Sequence, residues 1–349
     1  MKTKKRILVA PLNWGIGHAT RCIPIIKELL FHDFEVVIAA DGRPLHLLNT
    51  EFSELETVHF SSYNIRYSKY LPMNISMLLQ APKIMWNIKK ENIKLNNIIN
   101  QYKIDGIISD NRYGLYTNKV PCAFITHQLE IQTPYFKKHI QKINYRYINK
   151  FDSCWVIDNK KNNLAGNLSK PSNLPKNTIY IGNLSRFSYK KIEKRYDFLG
   201  IVSGPEPQRT VLEQKLIKAL KDKKEKSIIV LGKPEINNTK KIGNLTIKSH
   251  LKSEDLNTII LQSNLIICRP GYSTIMDLQK LKSKAFLIPT PGQTEQEYLA
   301  KILLQKNICY YQNQNQFNFE KGVYHSEKYT GFAESKEEGT NWQELFSLF

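Results

Sequence analysis

Residues that bind phosphates and sugar hydroxyls stand close together in one segment of the C-terminal half. Arg269, Ser273, Thr274 and Asp277 follow an apolar run, with a Pro-Gly turn at Gly271. Hydroxyls and the backbone N–H groups of a helix start can donate to a diphosphate, and the arginine adds positive charge. Asp277 lies one helical turn beyond the hydroxyl residues, so its carboxylate shares their face and can accept both ribose hydroxyls. A simple N-terminal cap explains Ser273 or Thr274, but not Arg269 and Asp277 together, and the segment therefore predicts a nucleotide-diphosphate site.

Two further loops of the C-terminal half carry residues of similar chemistry. Ser203, Gly204 and Arg209 stand between an apolar run and a helical pattern, where they can meet a phosphate. Gln293 and Gln296 follow a Pro-Gly turn, and amides that project from such a turn can hold sugar hydroxyls. The alternative for the glutamines is an ordinary solvent-exposed loop.

The N-terminal half has a glycine loop directly after its first apolar run. Gly15 and Gly17 let the backbone approach a ligand closely, and His18 follows them at a helix start. A histidine there can act as a base or bind a sugar hydroxyl; the alternative is that it caps or packs the helix start. A dinucleotide fingerprint is excluded because Thr20 stands where the third glycine is required, and no phosphate-loop Gly-Lys-Ser/Thr occurs.

Further candidates for a catalytic base and for substrate contacts lie elsewhere in this half. Asp110, at the end of an apolar run, is the second candidate for the base, and His127 is the third. The predicted acceptor-binding residues are Gly15, Gly17, Thr20, Arg21 and Gln128. The sequence contains no Asp-x-Asp, which disfavours a metal-bridged diphosphate, and neither a metal site nor a cofactor is expected.

Alternating strands and helices must position these loops, and they predict the α/β class. The predicted strands are Arg6–Pro11, Glu35–Ala40, Glu56–Phe60, Gly106–Ser109, Cys122–Thr126, Cys154–Ile157, Phe198–Val202, Ser227–Leu231, Leu245–Lys248, Leu265–Cys268 and Ala285–Ile288. The predicted helices are Ala19–Leu30, Met77–Tyr102, Tyr135–Lys150, Gln208–Leu220, Glu254–Gln262, Thr274–Leu281 and Glu295–Leu304. A polar join near residues 183–197 divides two similar halves, and a short amphipathic helix ends the chain.

Composition sets the broad class of the protein. A length of 349 residues with 41% hydrophobic residues suits two domains, and no apolar run is long enough to span a membrane or to serve as a signal peptide. The five cysteines are scattered without a Cys-x-x-Cys pair, as is typical of reduced thiols in the cytoplasm. The net charge of +20 reflects either compositional bias or an anionic membrane or substrate; no motif accompanies it that would indicate a nucleic-acid partner.

The loops together resemble the glycosyltransferases of family 28, which include the peptidoglycan N-acetylglucosaminyl transferase and plant galactolipid synthases. Arg269, Gly271, Thr274, Asp277 and Gln296 fall on the family pattern Arg-x-Gly-x-x-Thr-x-x-Glu…Gln. The glycine loop at His18 and the loop at Ser203 fall on the family's other two ligand loops. Asp277 departs from the family's glutamate, the loop at Gln296 lacks the paired glutamines of the peptidoglycan enzyme, and the first loop lacks its glycine run.

The resemblance implies a GT-B fold, in which two Rossmann-like domains face each other across a cleft. Residues 1–185 are then the acceptor-binding domain, residues 186–335 the nucleotide-sugar-binding domain, and residues 336–349 a helix that packs back on the first domain. It also implies inverting, metal-independent transfer of a hexose or N-acetylhexosamine from a UDP-sugar, with helix starts and Arg269 stabilising the leaving UDP and His18 as base. Rival interpretations are an epimerase or hydrolase of the same fold, and a non-catalytic protein that binds a sugar nucleotide.

Two basic amphipathic stretches bear on the acceptor. Ile65–Lys94 and Tyr135–Lys150 mix aromatic and aliphatic residues with lysines and arginines. Such stretches suit an anionic membrane surface, which predicts a lipid-linked or glycan acceptor and a peripheral position on the inner face of the cytoplasmic membrane. The alternative is that both are ordinary helices covering a sheet. The sequence leaves the oligomeric state open.

Overall fold

A computed structural model describes residues 4–63, 73–131, 137–161, 163–333 and 339–349, with only the backbone described for residues 73–78. The chain forms two compact units. The first consists of Met1–Leu184 together with Glu337–Phe349, and the second of Ser185–Lys336.

The first unit is built on a parallel sheet, with seven strands among the described residues, in the order β3-β2-β1-β4-β5-β6-β7. Its strands are β1 (Arg6–Pro11), β2 (Glu35–Ala40), β3 (Glu56–His59), β4 (Gly106–Asp110), β5 (Cys122–Thr126), β6 (Ser153–Val156) and β7 (Thr178–Tyr180). The helices α1 (Ile16–Phe31), α2 (Gly42–Glu51), α3 (Met73–Tyr102) and α4 (Lys137–Ile148) connect them. The central strands are buried along nearly their whole length, which is why their sequences are almost uninterrupted apolar runs.

The strand order reverses between β1 and β4, and this reversal prepares a ligand site. Pro11 at the end of β1 is paired with Asp110 at the end of β4. The chain leaves the two neighbouring strands in different directions, so the loops that follow them border a crevice at the carboxyl edge of the sheet.

The second unit repeats this architecture, but one edge of its sheet is an antiparallel hairpin. Seven strands among its described residues run in the order β10-β11-β9-β8-β12-β13-β14, and all pairs are parallel except the β10–β11 hairpin. Its strands are β8 (Tyr196–Ile201), β9 (Ser227–Val230), β10 (Thr239–Ile242), β11 (Leu245–Lys248), β12 (Ser263–Cys268), β13 (Ala285–Leu287) and β14 (Tyr310–Tyr311). Its helices are α5 (Gln208–Leu220), α6 (Ser253–Leu261), α7 (Tyr272–Lys280), α8 (Thr294–Gln305) and α9 (Phe319–Ser326). The fold-class prediction is confirmed: both units are α/β, with helices joining largely parallel strands.

The end of the chain packs on the first unit through aromatic side chains. Helix α10 (Trp342–Phe346) places Phe346 against Trp155, and Phe349 contacts the same indole. A Cβ at Gly106 would lie only 2.4 Å from the Phe349 ring, so that strand position has no room for a side chain. The C-terminal residues therefore complete the core of the first unit.

Some elements differ from the expectation. Helix α3 begins at Met73, four residues before the predicted start, and α4 occupies Lys137–Ile148. Residues 65–72 and 135–136 of the two basic stretches lie outside the described residues. Sequence reasoning missed α2, β7, β10, β14 and α9. Helix α9 was hidden by Gly322, which is required because a Cβ there would stand 2.2 Å from the Phe286 ring.

A buried ion pair joins α3 to the segment after β4. The Arg112 side chain is fully buried, and its Nη2 lies 2.7 Å from Oε1 of Glu91. The same guanidinium donates to the carbonyl of Ser61, and Tyr63 donates its hydroxyl to Glu91. Because both charges are removed from water, each depends on the other for its solvation. The pair thus fixes α3 and two loops of the first unit to one another.

Replacement of Glu91 by Ala leaves Arg112 buried without its counter-charge. We expect the free energy of unfolding to fall by about 3–5 kcal/mol, measured by urea denaturation. Glu54→Ala, at an exposed position, is the control and is expected to change it by less than about 0.5 kcal/mol. Equal stability of the two variants would show that the pair does not support the unit.

Candidate functional site

The glycine loop after β1 directs one turn of α1 toward the end of β4. Gly15 precedes α1 with φ of 103°, a left-handed conformation that favours glycine. His18 and Arg21 follow on the same face of the helix, three residues apart. Both side chains meet Asp110, whose carboxylate is completely buried. The structure thus brings the first two candidates for the base into direct contact.

The Asp110 carboxylate is held by two partners. Nδ1 of His18 lies 3.0 Å from its Oδ1, and Nε of Arg21 donates to its Oδ2 over 2.6 Å, while Arg21 Nη2 also donates to Oδ1. Burial raises the pKa of Asp110, but the Arg21 guanidinium and His18 lower it by more, so that it lies well below its usual range. The group is therefore a permanent anion.

His18 is the partner that keeps access to solvent. Its side chain is 15% exposed, whereas those of Arg21 and Asp110 are almost fully buried. Burial lowers the pKa of His18, Asp110 raises it and Arg21 lowers it, with a net downward shift. The imidazole is therefore uncharged at neutral pH, as a general base must be.

His127, the third candidate, belongs to the same cluster. It follows β5, and its Nδ1 lies 2.9 Å from Nη1 of Arg21. All three predicted bases thus surround one guanidinium, although their positions in the sequence are far apart.

Two of the predicted acceptor-binding side chains, Thr20 and Arg21, are buried and bonded within the first unit. The Thr20 hydroxyl is buried and donates to the carbonyl of Gly17, so it supports the helix start. The N–H groups of Arg21 contact Asp110 and the two histidines, and only 3% of the residue is exposed. Gln128 remains half-buried beside His127 and donates its backbone N–H to the hydroxyl of Thr126.

In the second unit, the predicted donor residues follow β8, β12 and β13. Gly204 has φ of 106°, and a Cβ placed there would lie 3.4 Å from Oγ1 of Thr290 and 3.9 Å from Nε of Arg269. Among the described residues, these two buried polar atoms have no hydrogen-bond partner, and neither has Nε of Arg209. The other end of the Arg209 guanidinium pairs with Glu206. Arg269 and Thr290 thus place buried donors without partners beside Gly204, a surface suited to an anion's oxygen atoms.

Arg269 holds several loops of the second unit together. Its side chain is fully buried, and its terminal nitrogens donate to the carbonyls of Ile288, Pro289 and Gln208 and to Oε1 of Gln314. Burial lowers its pKa to about 10, so the group stays charged. The guanidinium therefore organises the surrounding loops, and its Nε is the one N–H left for a ligand.

Asp277 lies where the spacing placed it, on α7 one turn beyond Ser273 and Thr274. The helix starts at Tyr272, and its N-cap residue Gly271 provides no side-chain cap. The hydroxyl of Ser185 donates to Oδ1 of Asp277 over 2.6 Å. Burial raises the pKa of Asp277 to about 6, although Arg186 and Ser185 oppose the shift.

The two glutamines differ from each other. Gln296 is buried, and its Oε1 accepts the backbone N–H of Thr290 over 2.8 Å, so it holds the loop after β13 and does not project from it. Gln293 is the half-buried N-cap residue of α8. Sequence reasoning also missed Ser185 and Gln314, which touch Asp277 and Arg269 but belong to no motif.

The described residues contain neither a cluster of metal ligands nor a membrane-spanning helix. No group of three or more His, Cys, Asp or Glu side chains within them could hold a metal ion. No helix in the described part is long and apolar enough to cross a bilayer.

Comparison with known proteins shows similarity to glycosyltransferases. Residues 207–339 match the family model of the glycosyltransferase family 28 C-terminal domain. A protein of Methanosarcina acetivorans, named as an uncharacterized glycosyltransferase, is 22% identical over 334 residues, which cover 85% of this chain and 83% of the relative.

Solved structures share the fold over almost the whole chain. MurG of Acinetobacter baumannii aligns with a TM-score of 0.55 and 16% identity, covering 94% of this chain and 93% of MurG. The spinosyn rhamnosyltransferase SpnG aligns with a TM-score of 0.61 and 13% identity, covering 98% and 95%. The matched domain, the relative that spans most of the chain and the shared fold together support a glycosyltransferase of the GT-B fold, whose residues 207–339 resemble the C-terminal domain of family 28.

Proposed function

We propose that the protein is an inverting, metal-independent glycosyltransferase that moves a hexose or N-acetylhexosamine from a UDP-sugar, with His18 as its general base. The observation that carries this proposal is the His18–Asp110 pair. A fully buried carboxylate lies 3.0 Å from Nδ1 of an imidazole that is itself partly exposed. This is the arrangement expected of a general base: a carboxylate orients the imidazole through one ring nitrogen, and the other nitrogen faces the substrate.

The chemistry follows from the tautomer that Asp110 favours. A proton on Nδ1 of His18 donates to the carboxylate, which leaves the lone pair of Nε2 for the acceptor hydroxyl. Nε2 takes the hydroxyl proton while the acceptor oxygen forms its bond to the anomeric carbon. The bond from that carbon to the diphosphate oxygen breaks on the opposite face, and the configuration inverts.

The second unit supplies features suited to the leaving group. The start of α7 has no side-chain cap and suits an anion, and the surface at Gly204 adds the unpartnered Nε of Arg269 and hydroxyl of Thr290. The structural neighbours VinC and SpnG were both solved with thymidine diphosphate. These findings support a nucleoside-diphosphate sugar as donor; the choice of UDP rests on the family resemblance.

The exposed face of α3 supports a lipid-linked acceptor at an anionic membrane. Leu79, Trp86 and Ile93 recur every seven residues, so they share one helix face, and they are 57–69% exposed. Lys90 lies on the same stripe, with its Nζ 3.4 Å from the centre of the Trp86 ring. An apolar stripe bordered by lysines on a chain of net charge +20 matches the surface of anionic lipids.

Substitution of the base should abolish turnover without unfolding the chain. We expect His18→Ala to lower kcat by about 10²- to 10⁴-fold, because the acceptor hydroxyl loses its proton acceptor. The assay is release of UDP from UDP-sugars in the presence of acceptor glycolipids. His46→Ala, at an exposed histidine of the same unit, is the control and should retain activity. Undiminished turnover by His18→Ala would remove His18 as the base.

The donor assignment predicts opposite effects of one substitution on stability and on binding. A carboxyl whose pKa is raised to about 6 costs folding free energy when it is ionised, so Asp277→Asn should not lower the Tm of the free protein at pH 7.5. The same variant should lose the Tm increase that UDP gives the wild type, since the ribose hydroxyls lose an anionic acceptor.

Two comparisons complete this test. In the wild type the UDP-dependent Tm increase should shrink as the pH falls from 7.5 to 5, because Asp277 becomes protonated through a pKa of about 6. Asp222→Asn, at a side chain that is 84% exposed, should behave as wild type. A full response to UDP in Asp277→Asn would contradict the ribose contact.

The membrane proposal is tested by vesicle sedimentation at low salt. We expect Trp86→Ser/Lys90→Glu to bind anionic phosphatidylglycerol vesicles at least about tenfold more weakly than the wild type. The control is Tyr324→Ser/Lys328→Glu, which removes another exposed aromatic ring with a lysine over it, in the second unit, and changes the net charge equally. Equal loss in both variants, or no binding by the wild type, would contradict a membrane surface on α3.

A further inference from the structure

Hydrogen bonds join the segments that follow β1, β2 and β3 at the carboxyl edge of the first sheet. The hydroxyl of Ser62 accepts the backbone N–H of Asn13 over 3.2 Å, and the backbone N–H of Ser62 donates to Oδ2 of Asp41 over 2.8 Å. Just before this, the backbone N–H of Phe60 donates to the carbonyl of Ala40 over 3.0 Å. The three segments therefore form one continuous surface at this edge of the sheet.

This surface borders the site of the proposed base. Strand β1 lies between β4, which ends at Asp110, and β2, which Asp41 directly follows. Neighbouring strands are about 4.8 Å apart, so the ends of β2 and β4 are separated by about 10 Å. Asn13 and Trp14 belong to the same loop that leads into His18. A ligand that presents one hydroxyl to His18 can therefore lay the rest of its body on this surface.

The loop after β1 exposes a large aromatic side chain beside the base. Trp14 is 39% exposed, and its neighbours Asn13 and Gly15 are exposed as well. A Cβ at Gly15 would meet no atom within 4 Å, so the space next to the loop is open. An indole offers a flat apolar face. The C–H groups of a sugar ring form a matching apolar face, which can pack on the indole while the hydroxyls at the rim of the ring stay free for hydrogen bonds.

Polar groups suited to those hydroxyls stand next to the indole. Asp41 is the N-cap residue of α2, but its side chain makes no capping hydrogen bond. Its Oδ1 is buried and has no hydrogen-bond partner in the described part of the chain, so it requires a donor. The amide of Asn13 lies over the neighbouring residue, since a Cβ at Gly42 would stand 2.7 Å from its Nδ2. A carboxylate and an amide side by side can accept from hydroxyls and donate to them.

The unpartnered oxygen also decides which chemical group fits. A carboxylate oxygen only accepts, and the oxygen atoms of an ionised phosphate carry no proton to donate. A phosphate therefore cannot satisfy Oδ1 of Asp41 and would meet like charge there. A sugar hydroxyl is uncharged and donates. This surface thus favours a neutral saccharide over a phosphorylated group.

We propose that Asn13, Trp14 and Asp41 bind a sugar ring of the acceptor, with its apolar face on the indole and its hydroxyls on the amide and the carboxylate. This proposal rests on the proposed function, because it takes the hydroxyl that faces His18 to belong to the same acceptor. The enzyme then extends a saccharide and does not attach the first sugar to a lipid alcohol. Another glycosyl transfer must supply its acceptor.

The first test measures sugar binding without turnover, by fluorine NMR of protein labelled with fluorotryptophan. The chain has four tryptophans, and the signal that is lost in Trp14→Phe identifies Trp14. The probes are the methyl glycosides of glucose, galactose and N-acetylglucosamine, with pyrophosphate as the anionic comparison. We expect at least one glycoside to shift the Trp14 signal, and pyrophosphate to leave it unchanged.

Substitutions then assign the contact. Asp41→Asn should weaken glycoside binding at least about tenfold, as expected for a lost hydrogen bond to a charged group. The control is Asp33→Asn, at a side chain that is 76% exposed just before β2, which should bind as the wild type does. A Trp14 signal that responds to no glycoside or only to pyrophosphate, or equal affinity in Asp41→Asn and the wild type, would overturn the proposal.

The second test compares acceptors in the assay of UDP release from UDP-sugars. Glucosylated diacylglycerol should support turnover and diacylglycerol should not. We expect Trp14→Ala to raise KM for the glucosylated lipid at least about tenfold and to change kcat less than about threefold, because it removes binding and not the base. Trp14→Phe, which keeps a ring, should restore most of the affinity. Equal turnover of the two lipids, or an unchanged KM in Trp14→Ala, would overturn the subsite.

The two tests separate this proposal from the proposed function. His18→Ala should keep the glycoside-dependent shift of the Trp14 signal, since His18 does not hold the ring. Absence of UDP release with every acceptor would reject the proposed transfer, whereas the NMR result decides the sugar subsite independently.

Discussion

The buried carboxylate of Asp110 constrains the site of the first unit more than any other single group. An ionised carboxylate without exposure to water is tolerated only when charged or polar donors replace its hydration. Arg21 and His18 provide those donors, and both come from the first two turns of α1. The helix must therefore start immediately after β1, and the left-handed Gly15 makes the turn possible. The pairing of Pro11 with Asp110 brings the two strand ends level, so that the donors reach the carboxylate.

The sequence predicted much of the fold because the period of apolar residues and the residue types in loops are local properties. Buried parallel strands appear as apolar runs, and a loop between a strand and a helix is recognisable from its glycines. The α/β class, most strands and the three candidate bases followed from such patterns. Edge elements such as β10 and β14 were missed because exposed or very short strands have no apolar run to mark them.

The partners of the candidate residues could not be predicted in the same way. His18 and Asp110 stand 92 positions apart, and Arg21 and His127 stand 106 apart. No local pattern shows that one guanidinium joins them. The contacts of Arg269 were equally hidden, because a charged residue in a ligand loop suggests contact with the ligand, whereas most of its N–H groups donate to backbone carbonyls. Charged residues beside a site thus divide into those that face the ligand and those that hold the loops, and only the structure separates the two.

The proposed base, His18 held by a buried carboxylate, predicts one direct displacement at the anomeric carbon. The most direct test of this displacement is the anomeric configuration of the product formed from an α-linked UDP-sugar, read from the proton coupling constant by NMR. Because a single displacement inverts the anomeric configuration, we expect a β-linked product. An α-linked product would contradict the single displacement, and with it the role that we assign to His18 and Asp110.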